Sequence, residues 1–502
     1  MGLIAPIGVD LAVVIDAFKQ ALNKIKYETN EIHLTDIFRE NRDWYDTSYD
    51  NEVQKYQKYI KAGDKLCQET GRKDVMALYG IASLEKYSSR GERDSLPTSV
   101  VHIFRQLKRV EEVEALNEVY GRNIIFISCY APRKDRIAHL VKRMLKTERG
   151  TSKSKLESRA LDIIAIDEDE RDNPFGQRVV DCYPKADYVL DCSSHASLIK
   201  SADRFVEMFF GSPLLSPTRD EYASYIANAA SYRSLDLSRQ VGAAIFGSDC
   251  ELISMGCNEV PRAGGGTYWD GDSRDFRDYA VGYDSNQKVR EDMSRDALVR
   301  LQKHGWLNSD LEETTPDELV IKAFSETEGT QGPLSQSMIK DVIEFGRMVH
   351  AEMNALADAA RFRRSTIGAT LYCTTMPCHM CAKLIIASGI ARVVYVQPYT
   401  KSLVEELFDD SVAIDEHPEA KRVTFDSLKG VSPNGFKRAF FKSIKRKRKD
   451  GSAAQWDPTV AVPTFLSSFP YYLELETIAK ENLKRALIVI AGLHPQQTSM
   501  SF

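Results

Sequence analysis

The sequence predicts an α/β protein of more than one domain, and three observations carry that expectation. Short β-branched runs alternate with helical stretches through residues 1–210, the pattern of a parallel sheet covered by helices. The chain has 502 residues, more than one hydrophobic core commonly serves. At 43% hydrophobic and 28% charged residues, it has apolar material for several cores and the surface charge of a soluble globular protein.

In chain order, a very short first strand is followed by "LAVVIDAFKQALNKI". That stretch sets Leu11, Val14, Ile15, Phe18, Leu22 and Ile25 on one helical face. "NIIFIS" (123–128), "DIIAID" (162–167) and "DYVLD" (187–191) read as strands of the same sheet. The Pro/Ser-rich "GSPLLSPTRDEY" (211–222) reads as a linker. "VGAAIFGSDCELISMGCN" then reads as a hairpin about a Gly-Ser-Asp turn at 247–249. A second domain is expected over 223–400, interrupted by a Gly-rich, then charged insertion at 262–345. It resumes with a helix over about 346–362, a strand at 369–375, a helix at 378–388 closed by Gly389, and a strand at 391–397. Residues 401–502 read as a mixed C-terminal extension.

Bulk numbers exclude several function classes. The net charge of -5 demands neither a nucleic acid nor a membrane partner. Nine scattered cysteines are too few for a disulfide scaffold and suit a reducing cytoplasm. "MGLIAP" begins like a myristoylation site but has Pro6 where Ser or Thr is needed. "ALIVIAGL" (486–493) is too short to span a bilayer, so no membrane association is expected.

The chemistry concentrates in "HAEMNA", from His350, and "TTMPCHMC", ending at Cys381. His350, Cys378 and Cys381 offer imidazole and two thiols, which zinc prefers. A fourth ligand at matching spacing is missing, and Cys373 in "LYCTT" reads as packed in a strand. Three protein ligands leave a position for water, as in a catalytic rather than a structural zinc site. The two cysteines lie at the start of a helix, whose positive end favours thiolates, and Pro377 fits just before it. Water on zinc has a pKa near 7, and Glu352 is placed to carry its proton to a leaving group. This His-x-Glu and Pro-Cys-x-x-Cys order is the signature of zinc deaminases.

With "SRQVGAAIF" (238–246) and "MGCNEVP" (255–261), these motifs resemble the deoxycytidylate deaminase family. The resemblance implies a cytidine deaminase-like three-layer α/β/α domain that converts a deoxycytidine nucleotide to its deoxyuridine form and ammonia. It implies Zn2+ held by His350, Cys378 and Cys381, Glu352 as proton shuttle, and Asn258 hydrogen-bonded to the sugar hydroxyl. A plain turn residue is the other reading of Asn258. The order of domains, with "GGGTYWDGDSRDF" opening the insertion, is similar to that of the bacterial anti-phage dCTP deaminases. That implies a P-loop kinase-like parallel-sheet domain at 1–210, depletion of dCTP or dCMP, a homo-oligomer, and in some members a small inhibitory RNA.

The first domain departs from a working phosphate loop. "GLIAPIGVDL" has Val9 and Asp10 after Gly8, so the lysine and the hydroxyl that phosphoryl transfer needs are both missing. Gly8 could still offer backbone amides to an anion, and Arg133, Arg136 and Arg143 in "YAPRKDRIAHLVKRM" are candidate phosphate contacts or a solvated basic face. This domain reads as a nucleotide sensor, an oligomerisation unit or a regulatory platform. "KRAFFKSIKRKRK" (437–449) holds eight basic residues and no acidic one, either a charged helix face or a contact for polyphosphate or RNA. Two other functions stay open. A polynucleotide cytidine deaminase would use the same zinc chemistry, with Tyr268 and Trp269 as stacking candidates. A non-catalytic RNA-binding nucleotide sensor would use zinc structurally.

Overall fold

The computed structural model describes residues 1–41, 43–88, 99–170, 173–327, 330–335, 337–399, 401–415, 422–441, 444–464 and 472–493. It divides into two compact units, Met1–Tyr222 with Ser427–Phe502, and Ala223–Asp426. The strands in chain order are β1 (Gly2–Ile4), β2 (Glu28–His33), β3 (Val100–Leu107), β4 (Phe126–Tyr130), β5 (Tyr188–Asp191), β6 (Gly242–Phe246), β7 (Leu252–Cys257), β8 (Glu326–Thr327), β9 (Thr330–Gln331), β10 (Thr370–Thr375), β11 (Arg392–Gln397), β12 (Val412–Ile414), β13 (Val423–Ser427) and β14 (Gly430–Val431).

The first unit is built on a sheet of order β14-β5-β4-β1-β3-β2. All neighbours pair in parallel except β14, which runs antiparallel to β5. β1 lies between β3 and β4, so it is the strand at which the winding of the sheet reverses. The apolar face expected of helix Leu11–Asn23 is buried, and Phe18 meets Phe205 edge-on at 5.5 Å.

One expected strand is wrong. "DIIAID" lies inside helix Lys153–Glu168, where Leu156, Ala160, Ile163, Ile164 and Asp167 share the buried face. Its apolar residues belong to a helical stripe that begins before the run, so a window of six residues could not show the period. β2 and β3 were not expected. β2 reads "ETNEIH" and has one fully buried side chain, Ile32, so its pairing with β3 sets its conformation.

Residues 401–502, read as one extension, divide between the units. β12 and β13 pair in the sheet of the second unit. β14 and helix Tyr472–Leu493 return to the first, where Ala479, Leu483, Ala486, Leu487 and Ile490 enter its core. That helix includes the apolar run 486–493. Among the described residues no helix is long and apolar enough to cross a membrane.

The second unit has a mixed sheet of order β12-β13-β11-β10-β6-β7. β6 and β7 form the expected antiparallel hairpin, β6 pairs antiparallel with β10, and β10 is parallel to β11. Within the stretch 262–345 the structure forms helices Ser285–Lys303 and Pro316–Phe324 and the small β8–β9 pair.

Candidate metal centre

Two helix starts make the site. His350 is the N-cap residue of helix Ala351–Arg361, in extended backbone. The helix lies so close to β7 that a Cβ on Gly256 would sit 2.5 Å from the Ala351 carbonyl oxygen and 2.6 Å from the Ala355 nitrogen. Glycine at 256 therefore sets how deep the helix seats. Asn354 ties it further, its Nδ2 donating to the Cys257 carbonyl at 3.1 Å. Cys378 is the N-cap residue of helix His379–Ala387, and Cys381 is fully buried in its first turn. The Pro377 carbonyl is fixed by the Ser402 hydroxyl at 2.9 Å.

These starts bring His350 Nδ1 to 3.5 Å from Cys378 Sγ and 3.3 Å from Cys381 Sγ. One donor atom from each of the three residues lies within 4.8 Å of the others. With Zn–S of about 2.3 Å and Zn–N of about 2.0 Å, tetrahedral zinc places nitrogen and sulfur roughly 3.5 Å apart, so the donor set fits zinc in type and spacing. His379 points elsewhere, with Nε2 3.5 Å from Glu344 Oε1. Cys373 is buried in β10.

Electrostatics match this use. The hydrogen bond from Cys381, with His350 beside it, pulls Cys378 well below the usual thiol value. Cys381, as the proton donor of the pair and buried, is pushed well above it. Burial opposes charge on His350, but the hydrogen bond and negative charge of Cys378 outweigh it and raise its pKa. A metal cation replaces the shared protons with one positive centre. Glu352 is 4% exposed, and its Oε2 accepts from Cys381 Sγ at 3.4 Å. Burial, with the nearby Cys378 charge, raises its pKa.

A cavity of about 340 Å³ opens over His350, Glu352 and Cys378. Arg239, Arg290, Lys340 and Lys401 line it, opposed by Asp236 and Asp284. Arg290 and Lys340 belong to the insertion, so this segment walls the site. Asn258 also lines it, yet most of its side chain is engaged. Oδ1 accepts from the Ala351 amide at 3.0 Å, and Nδ2 donates to Asp236 Oδ2 at 3.0 Å and to the Arg239 carbonyl at 3.2 Å. Asn258 thus satisfies the first orphan amide of the helix that carries Glu352. Asp236 was missed in the sequence, because the bond that gives it a role spans 22 positions and follows no local pattern.

In the first unit, Gly8, Arg133 and Arg136 gather around the chain's own carboxylates. Gly8 has φ +97°, and a Cβ there would lie 2.6 Å from Arg136 Cβ. The Ile7 amide donates to Asp167 Oδ2 at 2.6 Å, and Lys108 Nζ reaches Asp167 Oδ1 at 2.6 Å. Arg136 is buried, donating to Glu168 Oε1 at 2.6 Å and to the Ile7 carbonyl at 3.4 Å. Arg133 is half-exposed, 3.8 Å from Glu168 Oε2. Asp10 caps helix Leu11–Asn23 by accepting from the Ala12 and Val13 amides. Around this segment Asp167, Asp10 and Glu168 engage the Ile7 amide, the Ala12 and Val13 amides and the Arg136 guanidinium. Side-chain carboxylates satisfy the amides and guanidinium that an anion would otherwise claim.

Residues 217–397, which contain Asn258 and the metal centre, match the family described as the cytidine and deoxycytidylate deaminase zinc-binding region. ComE operon protein 2 of Bacillus subtilis is 38% identical over 81 residues, 16% of this chain and 43% of that protein. The deoxycytidylate deaminase of Enterobacteria phage T4 is 50% identical over 54 residues, 11% of this chain and 28% of that protein. The chain therefore spans less than half the length of these curated relatives. Among solved structures, the dCMP deaminase of cyanophage S-TIM5 in complex with dCMP and dUMP aligns over 42% of this chain and 98% of its own. That alignment has 17% sequence identity and a TM-score of 0.23.

Proposed function

We propose that the second unit is a zinc-dependent hydrolase that deaminates cytosine in free deoxycytidine nucleotides. It takes dCTP, dCMP or both, with water, to dUTP or dUMP and ammonia. The observation that carries this reading is the buried Glu352 carboxylate 3.4 Å from Cys381 Sγ, beside a three-donor zinc set at the base of a cavity. Zinc held by His350, Cys378 and Cys381 supplies Lewis acidity that brings the pKa of water near 7. Glu352 takes the proton of the attacking water and delivers it to cytosine N3. It then carries a second proton to the amino group, which leaves as ammonia, and the C4–N bond is replaced by C4=O. Burial of Glu352 keeps bulk water from competing for these protons. Asn258 positions the Glu352 helix, and with both Nδ2 protons engaged it keeps an Oδ1 lone pair that can accept from a sugar hydroxyl. The lysines and arginines of the cavity wall suit a phosphorylated substrate.

The wider role follows from the sequence resemblance: cytoplasmic depletion of deoxycytidine nucleotides in anti-phage defence, by a homo-oligomer with the first unit as regulator. Part of the basic run 437–449 is already engaged, since Arg438 pairs with buried Asp187 at 3.1 Å. Exposed Lys445, Lys447, Arg448 and Lys449 remain for an inhibitory RNA, and Lys442 lies outside the described residues. The polynucleotide reading has one observation behind it, exposed Trp269 with the Arg233 guanidinium 3.7 Å over its ring.

The test is chromatography of products after incubation with each deoxynucleoside mono- and triphosphate and with single-stranded DNA, with and without a chelator. Chelator-sensitive uridine products are expected from dCTP or dCMP. Glu352→Ala should lower turnover at least about 100-fold and retain zinc, whereas Cys378→Ala should lose both. Wild-type turnover by the Glu352→Ala protein would sink this reading.

A further inference from the structure

We propose that the first unit carries a second small-molecule site, a cavity at the carboxyl ends of β1, β2 and β3 that takes a free nucleoside monophosphate whose base bears an amino group. It stands on observations independent of the deamination reading. The cavity encloses about 360 Å³ and is lined by Ile7 after β1, His33 to Thr35 at the end of β2, and Arg105, Gln106 and Lys108 at the end of β3. Open parallel sheets bind ligands in the crevice outside these strand ends, beside the strand where the winding reverses, and β1 is that strand. The loop after β1 is satisfied by Asp167, so the ligand's anion belongs on the β2 and β3 side of it.

The lining fits the parts of a nucleotide. Phe38 and Tyr59 form an aromatic wall, with rings 6.2 Å apart and inclined at 75°, suited to a flat base. Six lysines and arginines line the cavity against one carboxylate, Glu112. Two of them are neutralised in the depth, Lys108 by Asp167 and Arg109 by Asp64 and Glu112. The other four, Arg39, Lys55, Arg105 and Arg143, lean on Asp36, Glu31 and Glu52, none of which lines the cavity. Glu52 is shared by Lys55 and Arg143, and Glu31 stands 3.5 Å from Arg105 while also serving Lys19. The cavity thus faces net positive charge, which a phosphate dianion complements. Gln177, 8% exposed, also lines it, and its buried Oε1 has no hydrogen-bond partner among the described residues. A buried amide oxygen without a partner is costly, and an exocyclic amino group of a base would satisfy it. The volume lies near the lower end for ligand pockets, about 300–1,000 Å³, which suits one phosphate rather than three.

The test is calorimetric titration of the full chain carrying Glu352→Ala, so that nucleotide bound in the second unit stays unchanged. The probes are dAMP, dGMP, dTMP and inorganic phosphate, with dCMP left out because the second unit is itself proposed to bind it. At least one amino-bearing monophosphate should bind about tenfold or more tighter than dTMP and inorganic phosphate. Arg105→Ala with Arg143→Ala should weaken it at least about tenfold, and Gln177→Leu should erase the preference over dTMP. A second measurement avoids folding defects: the unmutated chain is photolysed with 8-azidoadenosine monophosphate and the adducts are mapped. Adducts on 33–39 or 55–63 support the site. The proposal is overturned by no monophosphate binding, by equal binding of inorganic phosphate, by affinity indifferent to the arginine changes, or by adducts confined to 223–426.

Discussion

Asp167 has no solvent exposure, yet it accepts from the Ile7 amide and meets Lys108, itself 9% exposed in its side chain. Breaking one side of a buried ion pair leaves the other charge without compensation, so Asp167→Asn should destabilise the first unit by about 3–5 kcal/mol. Urea unfolding of the variant measures this, and an unchanged midpoint would show that Lys108 finds other solvation. His102 makes a pH-dependent contribution in the same unit. Burial, with the positive amino group of Met1, pushes its imidazole down to about 4 from an ordinary 6.5. Between these values the unfolded chain binds a proton that the folded chain refuses. Stability therefore falls as pH drops through this window and is indifferent to His102 above about pH 7. The His102 share of the loss at about pH 5 is up to about 2 kcal/mol. His102→Leu should remove that share from the fall in urea midpoint between about pH 7 and 5, leaving the part due to the buried Met1 amino group, itself pushed down to about 5.

Glycine at 256 decides how a helix meets a strand, and so where Glu352 stands. An added Cβ would strike backbone atoms of helix Ala351–Arg361 at 2.5 and 2.6 Å, and backbone cannot rotate away. Gly256→Ala should push the helix outward, costing about 1–3 kcal/mol. It should lower kcat on deoxycytidine nucleotides by about 100-fold, because displacement of a catalytic group by about 1 Å has that effect. Zinc content by atomic absorption separates displacement from loss of the metal, and retained zinc is expected. The elements of this site were readable because each rests on local signals: an apolar strand, a proline before the Cys-x-x-Cys helix, Gly389 after it. Where the determinant was pairing across the chain, local reading failed. β2 is a strand because β3 lies beside it, and "DIIAID" is helical because its apolar residues extend a stripe begun at Leu156. The same limit hid the first unit's carboxylates: Asp167 meets the Ile7 amide across 160 positions, a bond that no local pattern announces.

At the scale of the whole molecule, the first unit is discontinuous, since its chain leaves after Tyr222 and returns at Ser427. The returning helix Tyr472–Leu493 places Leu483, Leu487 and Ile490 in the core that includes Leu78, Ile81 and Leu116. It is also fastened by the Tyr120 hydroxyl donating to Glu476 at 2.9 Å. Burying each large aliphatic side chain stabilises by about 1.5–3 kcal/mol, so these three contribute roughly 5–9 kcal/mol. That is comparable to the whole net stability of an ordinary domain, about 5–15 kcal/mol. Deleting residues 465–502 should therefore unfold the first unit or leave it prone to aggregate, although among the described residues the deletion touches none of its other strands or helices. The second unit, Ala223–Asp426, has its own sheet and core and keeps all three zinc donors. The truncated chain should retain one zinc per molecule and hydrogen-exchange protection at β10 and β11, while β1, β3 and β4 lose theirs. Equal loss of protection in both sheets would show that the two units do not unfold separately.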